Sequence, residues 1–358
     1  MCIRFGSNPR ADFLGRRAAD RVASPTTNAM SETDISPAAY DRRRLSADVA
    51  LAANRIRKYV RTTPLEYSAY FSEQTGANVY LKLENQQLTG SFKLRGAVNK
   101  LLTMDAEQRA RGCVAASSGN HGAAVAWAMT RLGARGIIFV PEHTSKAKID
   151  AIRHAGAEVR YHGTDGLDTE TFAREFAREN EMAYLSPYND WAVIAGQGTC
   201  GLEIAQQLPD VDAVFIAVGG GGLIAGVGTF LKASKPAVEI VSCQPAASAV
   251  MTESVRVGAI VDIPSEPTLS DGTAGGIEPG AVTFEQCRDI VDRYVTVAED
   301  DIAQAMRDFI DGQHQLIEGA AGVAIAGLQQ VADAYTGKNV VVVICGGNVS
   351  RATLKEVL

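Results

Sequence analysis

"AVFIAVGGGGLIAGVGTFLKASKP", residues 213–236, decides the fold class. Six apolar residues, Ala213 to Val218, stop at four consecutive glycines. A short, wholly apolar run bounded by glycine is what a strand buried on both faces looks like. The run from Leu223 has helical length and ends before Pro236. Strand, glycine loop and helix form the first half of a βαβ unit. Four successive glycines cost chain entropy, and the usual reason for keeping them is a backbone nest around a phosphate. The loop follows neither GxxxxGK[ST] nor GxGxxG with a ribose-binding acid, so nothing supports a nucleotide as the phosphate's owner.

Working outward, the same alternation recurs. "GCVAASS" leads into "HGAAVAWAMTRLG", "GIIFVP" into "SKAKIDAIRHAG", and "AEVRYHG" into "DTETFAREFAREN". "MAYLSP", "VEIVSCQP" and "NVVVVICGGN" supply further strand-like runs, and "ANVYLKLE" alternates Val79, Leu81 and Leu83. Upstream, "SADVALAANRIRKYV" puts Val49, Ala52, Ile56 and Val60 on one helical face, with Ser46 placed to cap it. Strands that alternate with helices and show no hairpin turns predict α/β architecture with parallel sheets flanked by helices.

In such sheets ligands bind beyond the carboxyl ends of strands. Besides Gly219–Gly222, two strand exits are unusual. "SSGNHG", Ser117 to Gly122, packs two serines, an asparagine and a histidine before a helix, more than capping requires. "VVVVICGGNVS", Val340 to Ser350, opens onto Gly-Gly-Asn with Cys345 at the exit. A buried cysteine is ordinarily a small hydrophobe, and that reading stands beside any functional one. Lys93 in "LTGSFKLRGA" has a weak claim by itself, since most lysines are solvated.

The 358 residues carry a net charge of −6, which argues against nucleic acid or an anionic membrane as partner. No apolar run reaches the roughly 20 residues that span a bilayer. Six cysteines without CxxC spacing read as reduced thiols of a cytoplasmic protein, and five histidines show no metal-ligand spacing. Residues 1–45 are arginine-rich and aperiodic, and are expected to be a disordered or processed extension. "MSETDIS" at Met30 would make an ordinary start, and Asp12 and Asp20 count against a transit peptide.

A phosphate cradle, one lysine in "SFKLRGA" and polar strand-exit loops without a metal motif suggest pyridoxal 5'-phosphate. Its aldehyde needs an amine and its phosphate a glycine nest. From about Leu45 onward the chain resembles the fold-type II pyridoxal-phosphate enzymes, in the threonine/serine dehydratase and serine racemase branch. The motifs that carry the resemblance come in the family's order: "ENQQLTGSFKLRGA", "SSGNHG", "AGQGT" at 195–199, "GGGG", "LIEGAAGV" at 316–323 and "CGGN".

The resemblance implies a tryptophan synthase β-like fold of two parallel-sheet domains with the cofactor in the cleft between them. Residues 46–104 and 187–358 would form the large domain and 105–186 the small one. It implies that Lys93 anchors the cofactor and moves the substrate's α-proton, with Phe92 beside it. Gly219, Gly220, Gly221, Gly222 and Leu223 would hold the phosphate. Asn120 would bond the ring oxygen, with Glu318 also at the cofactor. Ser117, Ser118, Gly119, Asn120 and His121 would hold the substrate carboxylate, and Ser118 would face Lys93 across the cofactor. Cys345, usually serine in relatives, would approach the pyridine nitrogen; a neutral thiol there suits β-elimination better than a long-lived carbanion.

The implied reaction is loss of water from L-threonine or L-serine, giving a 2-oxo acid and ammonia. A dehydratase of 3-hydroxyaspartate or of a hydroxyectoine-derived amino acid, and a serine or amino-acid racemase, remain alternatives. "SDGTAGGIEPG" at 270–280 together with "SPYNDW" is similar to dehydratases of hydroxyectoine utilisation. Tyr188, Asp190 and Glu278, within these two stretches, are candidates for shaping the substrate pocket. In the racemase-like branch a cation site begins with a Glu and an Asp where this chain has Gln244 and Val250, so no metal is expected. A homodimer is implied by the family alone. The chain ends soon after "CGGN", so a regulatory domain and feedback by isoleucine are not expected.

Overall fold

The computed structural model describes residues 42–164 and 166–358. The expected extension falls outside these residues up to position 41. The described residues belong to one compact unit. The first described helix runs Arg42–Ile56 and buries Leu45, Val49, Ala52 and Ile56, the spacing of a single apolar face. Ser46 therefore lies inside the helix and does not cap it, and Leu45, assigned to the extension, is core. The apolar period begins one turn earlier than the run of arginines suggests.

Among the described residues, ten strands build two sheets. The larger holds six: β1 (Leu65–Tyr67), β2 (Asn78–Lys82), β7 (Ala213–Ala217), β8 (Glu239–Pro245), β9 (Arg293–Val297) and β10 (Asn339–Val343), in the order β1-β2-β10-β7-β8-β9. The smaller holds β3 (Cys113–Ala116), β4 (Gly136–Val140), β5 (Glu158–Tyr161) and β6 (Ala183–Tyr184), in the order β5-β4-β3-β6. All neighbours are parallel except β1, which pairs antiparallel with β2 through Leu65 opposite Lys82. Only three residues long, with Glu66 and Tyr67 exposed, this edge strand has no alternating run to betray it.

The central position of β10 and β7 explains their uninterrupted apolar runs. Val340 lies opposite Val79 on one side and Ala213 on the other, and both faces are covered. The main apolar cluster surrounds this sheet, and a second surrounds the smaller one. The helix Lys93–Thr103 sends Leu94, Ala97, Val98 and Leu101 into the second cluster.

The same helix carries Arg95, which is wholly buried. Its guanidinium meets Glu84 at 2.8 Å and Glu203 at 2.7 Å, and Lys82 meets Glu203 at 2.6 Å. Burial alone would raise the Glu84 carboxyl, but the adjoining Arg95 overrides it and holds Glu84 below the usual carboxylate range. "AGQGT" lies in the neighbouring helix, Trp191–Gln207, capped by Asp190. There a Cβ on Gly196 would come within 2.6 Å of Arg95 O. The motif thus reads as close helix packing behind the site.

Candidate active site

Lys93 opens its helix, and the residues before it are laid against the exit of β10. Ser91 bridges Gly346, Phe92 N–H donates to Cys345 O at 3.0 Å, and Gly347 N–H donates to Gly90 O at 2.9 Å. Lysine and cysteine, 252 positions apart in the chain by their numbers, are thereby fixed together at the carboxyl end of a central strand. Lys93 Nζ donates to Pro187 O at 3.0 Å and lies 5.2 Å from the Phe92 ring centroid. Burial lowers the Lys93 pKa to about 8, while Cys345, Glu318 and Glu170 pull it the other way.

A lowered lysine pKa means the folded chain binds fewer protons than the unfolded chain between about 8 and the ordinary 10.5. The resulting penalty on the cofactor-free fold is full below about 8 and is relieved as pH rises toward 10.5. Acylation of Lys93 in cofactor-free protein, followed by peptide mass analysis, should show a rate midpoint near pH 8. A midpoint as high as that of surface lysines would contradict the burial.

The glycine loop lies between β7 and the helix Gly222–Ser234. Gly221 takes φ +84°, a left-handed conformation that L side chains rarely adopt. A Cβ on Gly220 would stand 2.3 Å from the Tyr188 ring, and one on Gly219 would stand 2.9 Å from Thr273. The first N–H groups of the following helix have no intrahelical acceptor and carry its positive dipole end. Leu223 is buried in its first turn.

"SSGNHG" occupies the exit of β3, with the helix Asn120–Leu132 starting inside it. Ser117 Oγ accepts from Gly119 N–H at 3.2 Å, Ser118 and Gly119 are partly buried, and Asn120 Nδ2 donates to both Glu318 oxygens at 2.8 and 2.9 Å. The His121 ring turns into the core, with Nε2 at 2.8 Å from Leu185 O. A carbonyl only accepts, so Nε2 carries the proton and Nδ1, which has no partner, is bare. Burial, then Lys93, lowers its pKa to about 3, so the ring is neutral. Only the backbone N–H of His121 is left to serve an anion.

Glu318 is buried, and burial raises its pKa although the Asn120 amide opposes the rise. Cys345 Sγ lies 3.8 Å from Glu318 Oε1, and burial followed by Glu318 pushes the thiol well up, so it is neutral. Facing this group, Tyr188 OH accepts from Glu278 N–H at 3.0 Å. Arg174 joins Glu278 at 2.5 Å and Glu170 at 2.7 Å.

Lys93, Phe92, Cys345, Glu318 and Asn120 therefore meet, and Tyr188 links the Lys93 side to the glycine loop. Sequence reasoning missed Asn348, the Pro187 carbonyl, Glu170 and Arg174. Only the asparagine of "CGGN" offered a signal. Asp190, a candidate for the pocket, instead caps a helix and pairs with Lys100 at 2.6 Å. Gln244 Oε1 accepts from Thr252 N–H and Oγ1, each at 2.7 Å, and Val250 is buried. Among the described residues no group of three His, Cys, Asp or Glu is placed to hold a metal. No helix there is long and apolar enough to cross a membrane.

The residues fit pyridoxal phosphate on their own geometry. A desolvated amine stands at one end and a side-chain-free loop with a helix N-terminus at the other. Buried hydroxyls without partners are Ser91 Oγ, two residues before Lys93 in the chain, and Thr283 Oγ1, whose side chain packs against Gly221.

The family described as pyridoxal-phosphate dependent enzyme matches residues 56–346. An L-threonine ammonia-lyase of Thermotoga maritima is 40% identical over 311 residues, 87% of this chain and 77% of that protein. The processed threonine deaminase isoform 2 of Solanum lycopersicum superposes with a TM-score of 0.85 at 36% identity, covering 88% and 92% of the two chains. The serine racemase of Dictyostelium discoideum gives 0.79 at 31% identity, covering 85% and 98%.

Proposed function

Because the chain belongs to the pyridoxal-phosphate dependent enzyme family, we propose that it removes water from a 3-hydroxy amino acid, yielding a 2-oxo acid and ammonia. It is a pyridoxal-phosphate-dependent ammonia-lyase of the threonine dehydratase type, and L-threonine is the first substrate to try. L-Serine is the second. The observation that carries the site assignment is the Lys93 amine, desolvated and fixed between the Pro187 carbonyl and Phe92.

When bound, pyridoxal phosphate supplies a ring that takes up charge from the substrate's α-carbon. Lys93 holds the cofactor and, as a free amine above about pH 8, takes the α-proton. Gly219–Gly222 and the helix start after them, including Leu223, would hold the phosphate. Asn120 offers N–H to the ring oxygen. The N–H groups of Ser118, Asn120 and His121, with Ser117 and Gly119 shaping the turn, hold the substrate carboxylate. The neutral Cys345 thiol, which lies against Glu318, would serve the pyridine nitrogen.

The division into a large domain (46–104 with 187–358) and a small one (105–186) is supported by the smaller sheet, all of whose strands lie within 105–186. Five buried cysteines, none in a disulfide among the described residues, support a reducing, cytoplasmic setting. A homodimer rests on the family resemblance. The pairing of Arg174 with two carboxylates counts against 3-hydroxyaspartate, whose extra carboxylate would need that cation. Ser118 keeps the racemase alternative in the test, as the proton donor on the opposite face.

Purified protein given L-threonine, L-serine, D-serine and 3-hydroxyaspartate, with 2-oxo acid and chirality readouts, tests the proposal. Formation of 2-oxobutanoate from L-threonine is expected. Accumulation of D-serine without pyruvate would replace the lyase by a racemase.

A further inference from the structure

Asn348, in the loop after β10, touches two other parts of the site. Its Nδ2 donates to Thr89 O at 2.9 Å and to Asn120 Oδ1 at 2.7 Å. Asn120 Nδ2 in turn donates to both oxygens of Glu318. One end of this chain is the Thr89 backbone carbonyl, which only accepts. That end sets the polarity of both amides. Asn348 gives one hydrogen to Thr89 and one to Asn120, so Asn120 must receive on oxygen and present its N–H groups inward.

We propose that Asn348 is a positioning residue that sets which edge of the Asn120 amide faces the cofactor, so that the site receives a donor and not an acceptor. Gly90 supports the same reading from a different direction. It has φ +74°, and a Cβ there would stand 2.5 Å from Asn348 Oδ1, so the backbone makes room for this amide. Thr89 and Gly90 are the fourth and third residues before Lys93. Asn348 therefore joins the lysine loop, the β10 exit and the first turn of the helix Asn120–Leu132. It is exposed at the rim of the cleft, so its hydrogen bonds compete with water, and its contribution lies in orientation more than in stability. The inference rests on the pyridoxal-phosphate reading above.

Asn348→Asp discriminates, because a carboxylate cannot donate. It would draw the Asn120 NH2 outward and turn Oδ1 toward Glu318 and the cofactor oxygen, acceptor against acceptor. Expected for the holoenzyme are about tenfold weaker cofactor retention, equivalent to about 1.4 kcal/mol, and a changed ratio of visible absorption bands. Asn348→Ala should give a smaller loss of the same kind. In an Asn120→Ala background neither substitution should add a further loss, since no amide remains to be oriented. An unchanged spectrum and affinity in Asn348→Asp would overturn the inference, as would an equal loss with and without Asn120. If Asn348→Asp fails to fold, Asn348→Ala in the same pair of backgrounds decides between these outcomes. Failure of the parent protein to retain pyridoxal phosphate would overturn the underlying reading as well, and is seen before any variant is made.

Discussion

Lys93→Ala leaves no cofactor mass on the chain after borohydride reduction and lowers turnover by about 10³-fold or more. On the roles proposed above, the substitution removes two tasks at once, covalent anchoring and transfer of the α-proton. Arg95, the nearest cation in the same helix, is already held by Glu84 and Glu203. Losses from a group with two tasks do not add, so the turnover figure is a lower bound. The fold should survive, because a buried amine with a lowered pKa is a burden below about pH 8 and its removal relieves that burden. Circular dichroism and thermal unfolding of the variant separate the two effects. Retention of the adduct, or turnover within tenfold of the parent, would move the chemistry elsewhere.

Arg95→Ala destabilises the protein by about 3–5 kcal/mol, the loss seen when one partner of a buried ion pair is removed. Glu84 is wholly buried and would lose its closest cation, and Glu203 would keep Lys82 and the hydrogen bonds from Thr63. Denaturant unfolding at pH 7 measures the loss. A value under about 1 kcal/mol would mean that water or a shift of Lys82 replaces the guanidinium. The combined replacement of Arg95, Glu84, Glu203 and Lys82 by apolar residues of similar volume should cost far less than Arg95→Ala, since no charge of the network is then left unpaired. Arg95 sits two residues after Lys93, so this network also fixes the helix that carries Lys93.

Much of the molecule is legible in the chain because the signals are local. Residues 213–236 announce a buried strand, a glycine loop and a helix through apolar runs and glycine count, and the structure has them in those places. The antiparallel β1 is not legible, because three residues carry no period. The helix start before Ser46 is hidden because arginines on its exposed face mask an apolar face that already includes Leu45. At the site, Lys93, Asn120 and the glycines stand out by type and context. Arg174 does not, because an arginine in "TFAREFAREN" has the look of any solvated helix charge. Its salt bridge to Glu278 exists only once the small sheet's helix faces the 270–281 segment.

The sequence by itself determined the strand–helix alternation, the strand-exit loops and the type of chemistry, since each depends on neighbours along the chain. Tertiary structure alone decided which way the His121 ring turns, what Glu318 binds, and which edge of the Asn120 amide faces the site. Hydrogen-bond polarity and desolvation are set by atoms brought together from distant positions, such as Thr89, Asn120, Glu318 and Asn348. No local pattern encodes those distances.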